Sequence, residues 1–152
     1  DVLDVVGRRF QEVFSQLFGG GTAQIVLTDP DNILTGGIDF YIQPPGKKRQ
    51  QLTLLSGGER ALTVIALLFS FLDYRPAPFC VLDEVDAALD EANVERFSSY
   101  LNRINKETQF IVVSHRKKTM EAAEVLQGVT MVERGVSRLL TVAFEDVKED
   151  LA

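Results

Sequence analysis

The apolar run Phe79-Cys80-Val81-Leu82 leads directly into Asp83 and Glu84. An acid straight after four apolar residues is badly placed for a core, and a second acid beside it is worse. The pairing makes chemical sense if the first carboxylate holds a hard cation and the second handles a water. The plainer alternative is that both only cap the segment that follows. A second apolar run, Phe110-Ile111-Val112-Val113, ends in Ser114 and His115. A lone histidine is more often structural than catalytic, but one at a strand's carboxyl end beside an acid pair is less ordinary.

Two further groups carry possible chemistry. Ser56-Gly57-Gly58-Glu59 has the spacing of a capping box, directly before an apolar run from Ala61. Ser-x-x-Glu commonly just starts a helix. Two glycines inside that first turn weaken it by ~1 kcal/mol each relative to alanine, and they leave its N–H groups open to a phosphate. Ala87-Ala88-Leu89-Asp90 lies between the acid pair and the next helix, where Asp90 could serve only as an N-cap. Lys47-Lys48-Arg49 is a candidate nucleic-acid contact, with a solvated basic loop as the plainer reading.

The elements that must position these residues follow from hydrophobic spacing. Val2, Val6, Phe10, Val13, Phe14 and Leu17 recur at helical intervals until Gly19-Gly20-Gly21 stops them. Ala23 to Leu27 and Ile38 to Gln43 alternate, with turn residues between, and predict two antiparallel strands. Pro44 to Arg49 reads as a loop. A helix is expected over about 57–73 and another over about 91–106, with Val94, Phe97, Leu101 and Ile104 on one face. The two unbroken apolar runs then read as parallel strands covered on both faces. A helix to about Leu126 should follow the second run, and a hairpin around Arg134-Gly135 should close the fold. In such sheets ligands bind beyond the carboxyl ends of the strands, where both reactive pairs lie.

Composition removes several function classes. The 152 residues carry 22 acidic and 16 basic side chains, a net charge of −6, against a free-standing module that grips DNA by phosphate neutralisation. One cysteine, Cys80, and one histidine exclude a disulfide framework and Cys- or His-cluster metal sites. The longest apolar stretch, Ala61 to Leu72, is 12 residues, short of the ~20 a membrane span needs. No secretory signal is read at the start, and a cytoplasmic location is expected. A chain that opens at Asp1 already in helical spacing is expected to be a piece of something longer.

Taken in order, Ser56-Gly57-Gly58-Glu59, Phe79 to Glu84, Ala88-Leu89-Asp90 and His115 resemble the signature motif, Walker B, D-loop and switch histidine of ABC ATPases. The words around them narrow the resemblance. Leu54 to Thr63, Pro76 to Asp90 and Gly128 to Met131 look like the structural maintenance of chromosomes (SMC) proteins, most like the bacterial members, over about residues 14–144. Transporter ATPases usually carry Gln where Glu59 stands. Lys118, where SMC proteins often have glycine, is a small departure outside the ATP motifs. No Gly-x-x-x-x-Gly-Lys-Ser/Thr phosphate loop occurs.

The resemblance implies an α/β fold. It is the C-terminal half of an ABC-type head, mainly parallel sheet flanked by helices, with a short antiparallel element and a coiled-coil stub. Residues 1–18 would be the end of the returning arm and residues 19–152 the head lobe. It implies ATP and Mg²⁺, with Asp83 on the metal, Glu84 activating the water and His115 sensing the γ-phosphate. Ser56 with the amides of Gly57 and Gly58 would bind ATP held by a second head, and Asp90 would link the two sites. The partners implied are the N-terminal Walker A lobe, a second SMC head, a kleisin subunit and, in the full complex, DNA, with no membrane. The C-terminal hairpin and tail are the candidate kleisin seat. The rival expectations are a head fragment of another long-armed ABC ATPase in DNA repair, and a non-catalytic kleisin-docking lobe.

Overall fold

The computed structural model describes residues 2–32, 35–104 and 107–143. Helix α1 (Val2–Phe18) buries Val6, Phe10, Val13, Phe14 and Leu17 of the stripe its spacing predicts and adds Phe18, whereas Val2 is exposed. It ends where Gly19 turns left-handed, and the Gly20 N–H closes onto the Ser15 carbonyl. Gly21 is required by close approach. A Cβ there would lie 2.4 Å from the Gln43 carbonyl oxygen, and φ is +87°. The Gln11 side chain then staples the turn to the first strand: its amide donates to the Gly21 carbonyl and its oxygen accepts from the Ala23 N–H.

Strands β1 (Thr22–Leu27) and β2 (Ile38–Gln43) pair antiparallel, as the alternation requires. A two-residue strand β3 (Gln50–Gln51) joins β2 inside the segment that follows the expected loop. Helix α2 (Gly57–Tyr74) lies against α1, with Arg9 of α1 paired to Asp73. Its buried Thr63 and Ser70 are satisfied by donating to the carbonyls of Glu59 and Leu67 in the preceding turn. Strands β4 (Phe79–Asp83) and β5 (Gln109–Val113) pair in parallel, with Asp83 opposite Val113, and helix α3 (Glu91–Ile104) makes the crossover between them. One core joins these elements. Phe69 stacks on Phe97 and Tyr100 and meets Phe110 edge-on, while Phe10, Phe14, Phe18 and Phe40 form a second aromatic group under α1. Residues Phe10 to Phe18 of α1 thus belong to the core of the lobe.

The structure corrects two expectations. The parallel sheet is covered on one face only. Leu82, Cys80, Phe110 and Val112 face the core, whereas Phe79, Val81, Ile111 and Val113 stand 47–60% exposed. An apolar run on both faces calls for two covering layers, and the described residues supply one. The helix after β5, α4 (Lys117–Glu121), is one short turn and does not reach Leu126. The β-branched Val125, Val129, Thr130 and Val132 instead enter strand β6 (Val125–Glu133), which pairs with β7 (Val136–Ala143). The hairpin at Arg134-Gly135 is present, so antiparallel pairing accounts for the two sheets that flank the parallel pair. The expected end of α3 at Lys106 and the acidic tail from Glu145 lie outside the described residues.

Candidate functional site

The parallel register sets the two reactive pairs side by side. The Glu84 N–H donates to the Val113 carbonyl at 2.9 Å, extending the ladder one residue past β4, and the chain then turns away. That turn puts Glu84 at φ +51°, the only non-glycine residue with positive φ among the described residues. Left-handed backbone costs a residue with a Cβ roughly 1–2 kcal/mol, so local strain is held where the acid is presented. The Glu84 carboxylate meets His115 Nδ1 at 2.9 Å, and both side chains remain substantially exposed. Asp83 is exposed at the strand end and makes no hydrogen bond or ion pair among the described residues.

Beyond Glu84 the chain folds into a tight loop. The Ala87 N–H donates to the Glu84 carbonyl and the Leu89 N–H to the Asp86 carbonyl. Leu89 is buried and anchors the loop. Asp90 caps α3: its carboxylate accepts from the Asn93 N–H at 2.8 Å and from the Asn93 side-chain amide at 3.2 Å. The N-cap alternative for Asp90 is therefore what the isolated lobe displays.

At the start of α2 the capping box is complete. Ser56 Oγ donates to Glu59 Oε2 at 2.8 Å and accepts from the Glu59 N–H, and the Ser56 N–H donates back to the same carboxylate. Lys47 joins it at 2.8 Å, and this contact is the main reason the Glu59 carboxyl is held below its usual range. The two glycines differ. Gly57 faces open space, whereas a Cβ on Gly58 would sit 2.9 Å from the Ala88 carbonyl oxygen. Gly58 is thus needed by packing within the chain, independently of any ligand. Ser56 and Glu59 make no hydrogen bond to Asp83, Glu84 or His115 among the described residues. The structure joins Glu84 to His115, and joins Gly58 to the loop before Asp90, but among the described residues no hydrogen bond links all seven candidates into one site.

A family described as RecF/RecN/SMC N terminal domain matches residues 29–138. The chain belongs to the SMC family. It is 60% identical to the chromosome partition protein Smc of Bacillus subtilis over 98% of this chain, and spans 13% of that relative's length. A solved chain from work on ATP-driven dimerization and DNA-stimulated activation of SMC ATPases superposes at TM-score 0.86 with 36% identity, covering 99% of this chain and 91% of that one. An Smc head with an extended coiled coil, bound to the C-terminal domain of ScpA and derived from Pyrococcus furiosus, matches at TM-score 0.89 and 37% identity, over 97% of this chain and 37% of that one. The fold of this SMC lobe is therefore the α/β architecture of an SMC ATPase head.

The SMC lobe also contains residues whose roles were not legible in the motifs. Asp86 is fully buried, accepts from the Ser114 hydroxyl at 2.6 Å and also from the Thr119 hydroxyl. Arg116 reaches the carbonyls of Ala87 and Leu89. Lys47, part of a basic run in sequence, joins the start of α2 through Glu59, and Arg49 lies over the Tyr41 ring. The only sequence signal for Asp86 was a third acid two residues after the pair.

Among the described residues no cluster of three or more His, Cys, Asp or Glu side chains is disposed to hold a metal. Mg²⁺ carried by a nucleotide needs only one or two protein carboxylates, its other ligands being phosphate and water. The unengaged Asp83 carboxylate fits such a role. No helix among the described residues is long and apolar enough to cross a membrane.

Proposed function

We propose that this lobe is the C-terminal half of an SMC ATPase head, and that with a Walker A lobe it hydrolyses ATP between two engaged heads. The observation that carries the proposal is the Glu84–His115 pair held across the carboxyl ends of β4 and β5. Asp83 would hold Mg²⁺, which supplies charge neutralisation on the phosphates. Glu84 takes a proton from the attacking water, whose oxygen bonds to the γ-phosphorus as the bond to the β-phosphate oxygen breaks. His115, held 2.9 Å from the Glu84 carboxylate through Nδ1, is the side chain that would sense the γ-phosphate. Ser56 and the free first-turn amides of Gly57 and Gly58 bind the γ-phosphate of ATP carried by the second head. Asp90 links the two sites across that interface.

The uncovered sheet face, Phe79, Val81, Ile111 and Val113, is the surface the Walker A lobe covers. Residues 1–18 would be the end of the returning arm, packed through Phe10, Phe14 and Phe18 into the core of a head lobe of residues 19–152. A kleisin seat on the C-terminal hairpin is supported by apolar side chains exposed on both of its faces, Val129, Met131, Val132, Leu139 and Leu140 among them. The relatives' role in chromosome partition is the proposed role here, in the cytoplasm at the nucleoid. DNA contact is assigned to the full assembly, since Lys47 and Arg49 are engaged within the lobe.

ATP turnover by the chain alone, and after mixing with a separately produced Walker A lobe, tests this reading. No turnover alone and clear turnover together are expected. Turnover by the chain alone would mean a phosphate site other than the one proposed. No turnover in the folded, associated pair, with DNA and kleisin added, would favour a non-catalytic docking lobe.

A further inference from the structure

His115 is flanked by two residues that grip the loop before Asp90. On one side, Ser114 Oγ donates to the buried Asp86 carboxylate at 2.6 Å and accepts from the Arg116 N–H at 2.9 Å. Thr119 Oγ1 donates to the same Asp86 oxygen. On the other side, Arg116 Nη2 donates to the carbonyls of Ala87 at 3.2 Å and Leu89 at 2.9 Å. Between those two carbonyls lies Ala88, whose own oxygen abuts Gly58 of the signature helix so closely that a Cβ does not fit. A continuous path of direct contacts therefore runs from His115 through Arg116 and the loop to the start of α2.

The path is tight, yet its polar groups are not fully satisfied. Asp86 Oδ1 and Arg116 Nε are both buried with no hydrogen-bond partner among the described residues. Buried polar groups are usually paired, and an unpaired one costs the lobe free energy. Such a cost persists where the arrangement serves something besides stability. A guanidinium spanning two carbonyls fixes both distance and angle, which a point charge cannot do.

We propose that Arg116, seated by Asp86, Ser114 and Thr119, is a positioning residue that ties the switch histidine to the D-loop. It transmits the state of the head's own γ-phosphate to the surface that closes over the partner's ATP. The proposal rests on the ATPase reading above, because it needs His115 at a γ-phosphate and the loop at a head–head interface.

The test uses a full-length SMC protein carrying this lobe, with Arg116→Ala and Arg116→Lys; the lysine variant keeps the stem in place if the alanine variant is unstable. Each is expected to lower kcat about tenfold with nucleotide affinity unchanged, as misplacement of a positioned group does. A mixed-head assay separates positioning from general support of the fold. Wild-type heads are combined with an excess of Glu84→Gln heads, with or without Arg116→Ala in the latter. The hydrolysable ATP then sits on a head whose own Arg116 is intact. Turnover that falls when Arg116→Ala is added to the silent head supports transmission across the interface; unchanged turnover overturns it. Full activity of Arg116→Lys, or nucleotide affinity falling in step with kcat, also overturns it. Normal turnover in heads that all carry Glu84→Gln would remove the ATPase reading and the proposal together, and so distinguishes the two failures.

Discussion

At the ends of β4 and β5 the chain holds Glu84 in left-handed backbone and presses two exposed, reactive side chains together. At the start of α2 the opposite holds: Ser56, Glu59 and Lys47 satisfy one another as in any well-capped helix. The first region is strained but chemically assembled within one chain. The second is relaxed and makes no hydrogen bond to Glu84 among the described residues. The contrast fits a divided site, in which a lobe prepares its own hydrolytic groups and offers a quiet, preformed surface to another molecule's nucleotide.

Ser56→Arg strikes hardest at that division. It should prevent head engagement, lowering turnover by about 100-fold or more, while ATP binding to the completed head persists. Light scattering with ATP and a nucleotide titration check the two parts. Loss of both together would reduce Ser56 to a helix cap.

The paired glycines sharpen the comparison. Gly58→Ala should destabilise the lobe by about 1–2 kcal/mol, because the Ala88 carbonyl must move away from the new methyl group. Gly57→Ala meets nothing within 4 Å and should stabilise the lobe by about 0.5 kcal/mol through its unfolded state. If Gly57 offers its amide to a partner's phosphate, that more stable variant should nevertheless engage less well. Denaturant melts and sedimentation of the ATP-bound head measure the two effects separately; equal engagement would assign Gly57 a purely local role.

The smallest effect belongs to Lys47. Its contact holds the Glu59 carboxyl below the usual value of 4.5, so its stabilisation is present above that pH and is lost as pH falls through the lower folded value. Lys47→Ala should cost about 0.5 kcal/mol at neutral pH, since the ammonium is half exposed and screened by solvent. The difference from wild type should vanish in melts taken well below pH 4.5.

Much of this architecture was legible because local pattern and tertiary demand agree. The Val6-Phe10-Val13-Phe14-Leu17 stripe specifies a helix and its buried side, the Ser56-x-x-Glu59 cap a helix start, and the two apolar runs a pair of strands. What failed depended on partners distant in sequence. Val125 and Leu126 were assigned to a helix because strand β7, which pairs with them, lies beyond the turn at Gly135. The uncovered face of the parallel sheet looked like any buried strand, since periodicity reports that a face is apolar and not what lies on it. Of the candidate site, the sequence placed Asp83, Glu84, Ser114 and His115 together through the carboxyl-end rule. It could not show that Arg116 and Asp86 hold the neighbouring loop, because those contacts join residues 27–29 positions apart.

The central claim is that Glu84 is the hydrolytic base of an ATP-closed pair of heads. The most direct measurement is the mass of the completed head by light scattering, with and without ATP, in wild type and Glu84→Gln. Removing the base while keeping the shape of the side chain should leave ATP binding intact, abolish turnover and trap the dimer whenever ATP is present. A Glu84→Gln head that stays monomeric with bound ATP, or that turns ATP over at the wild-type rate, would contradict the account.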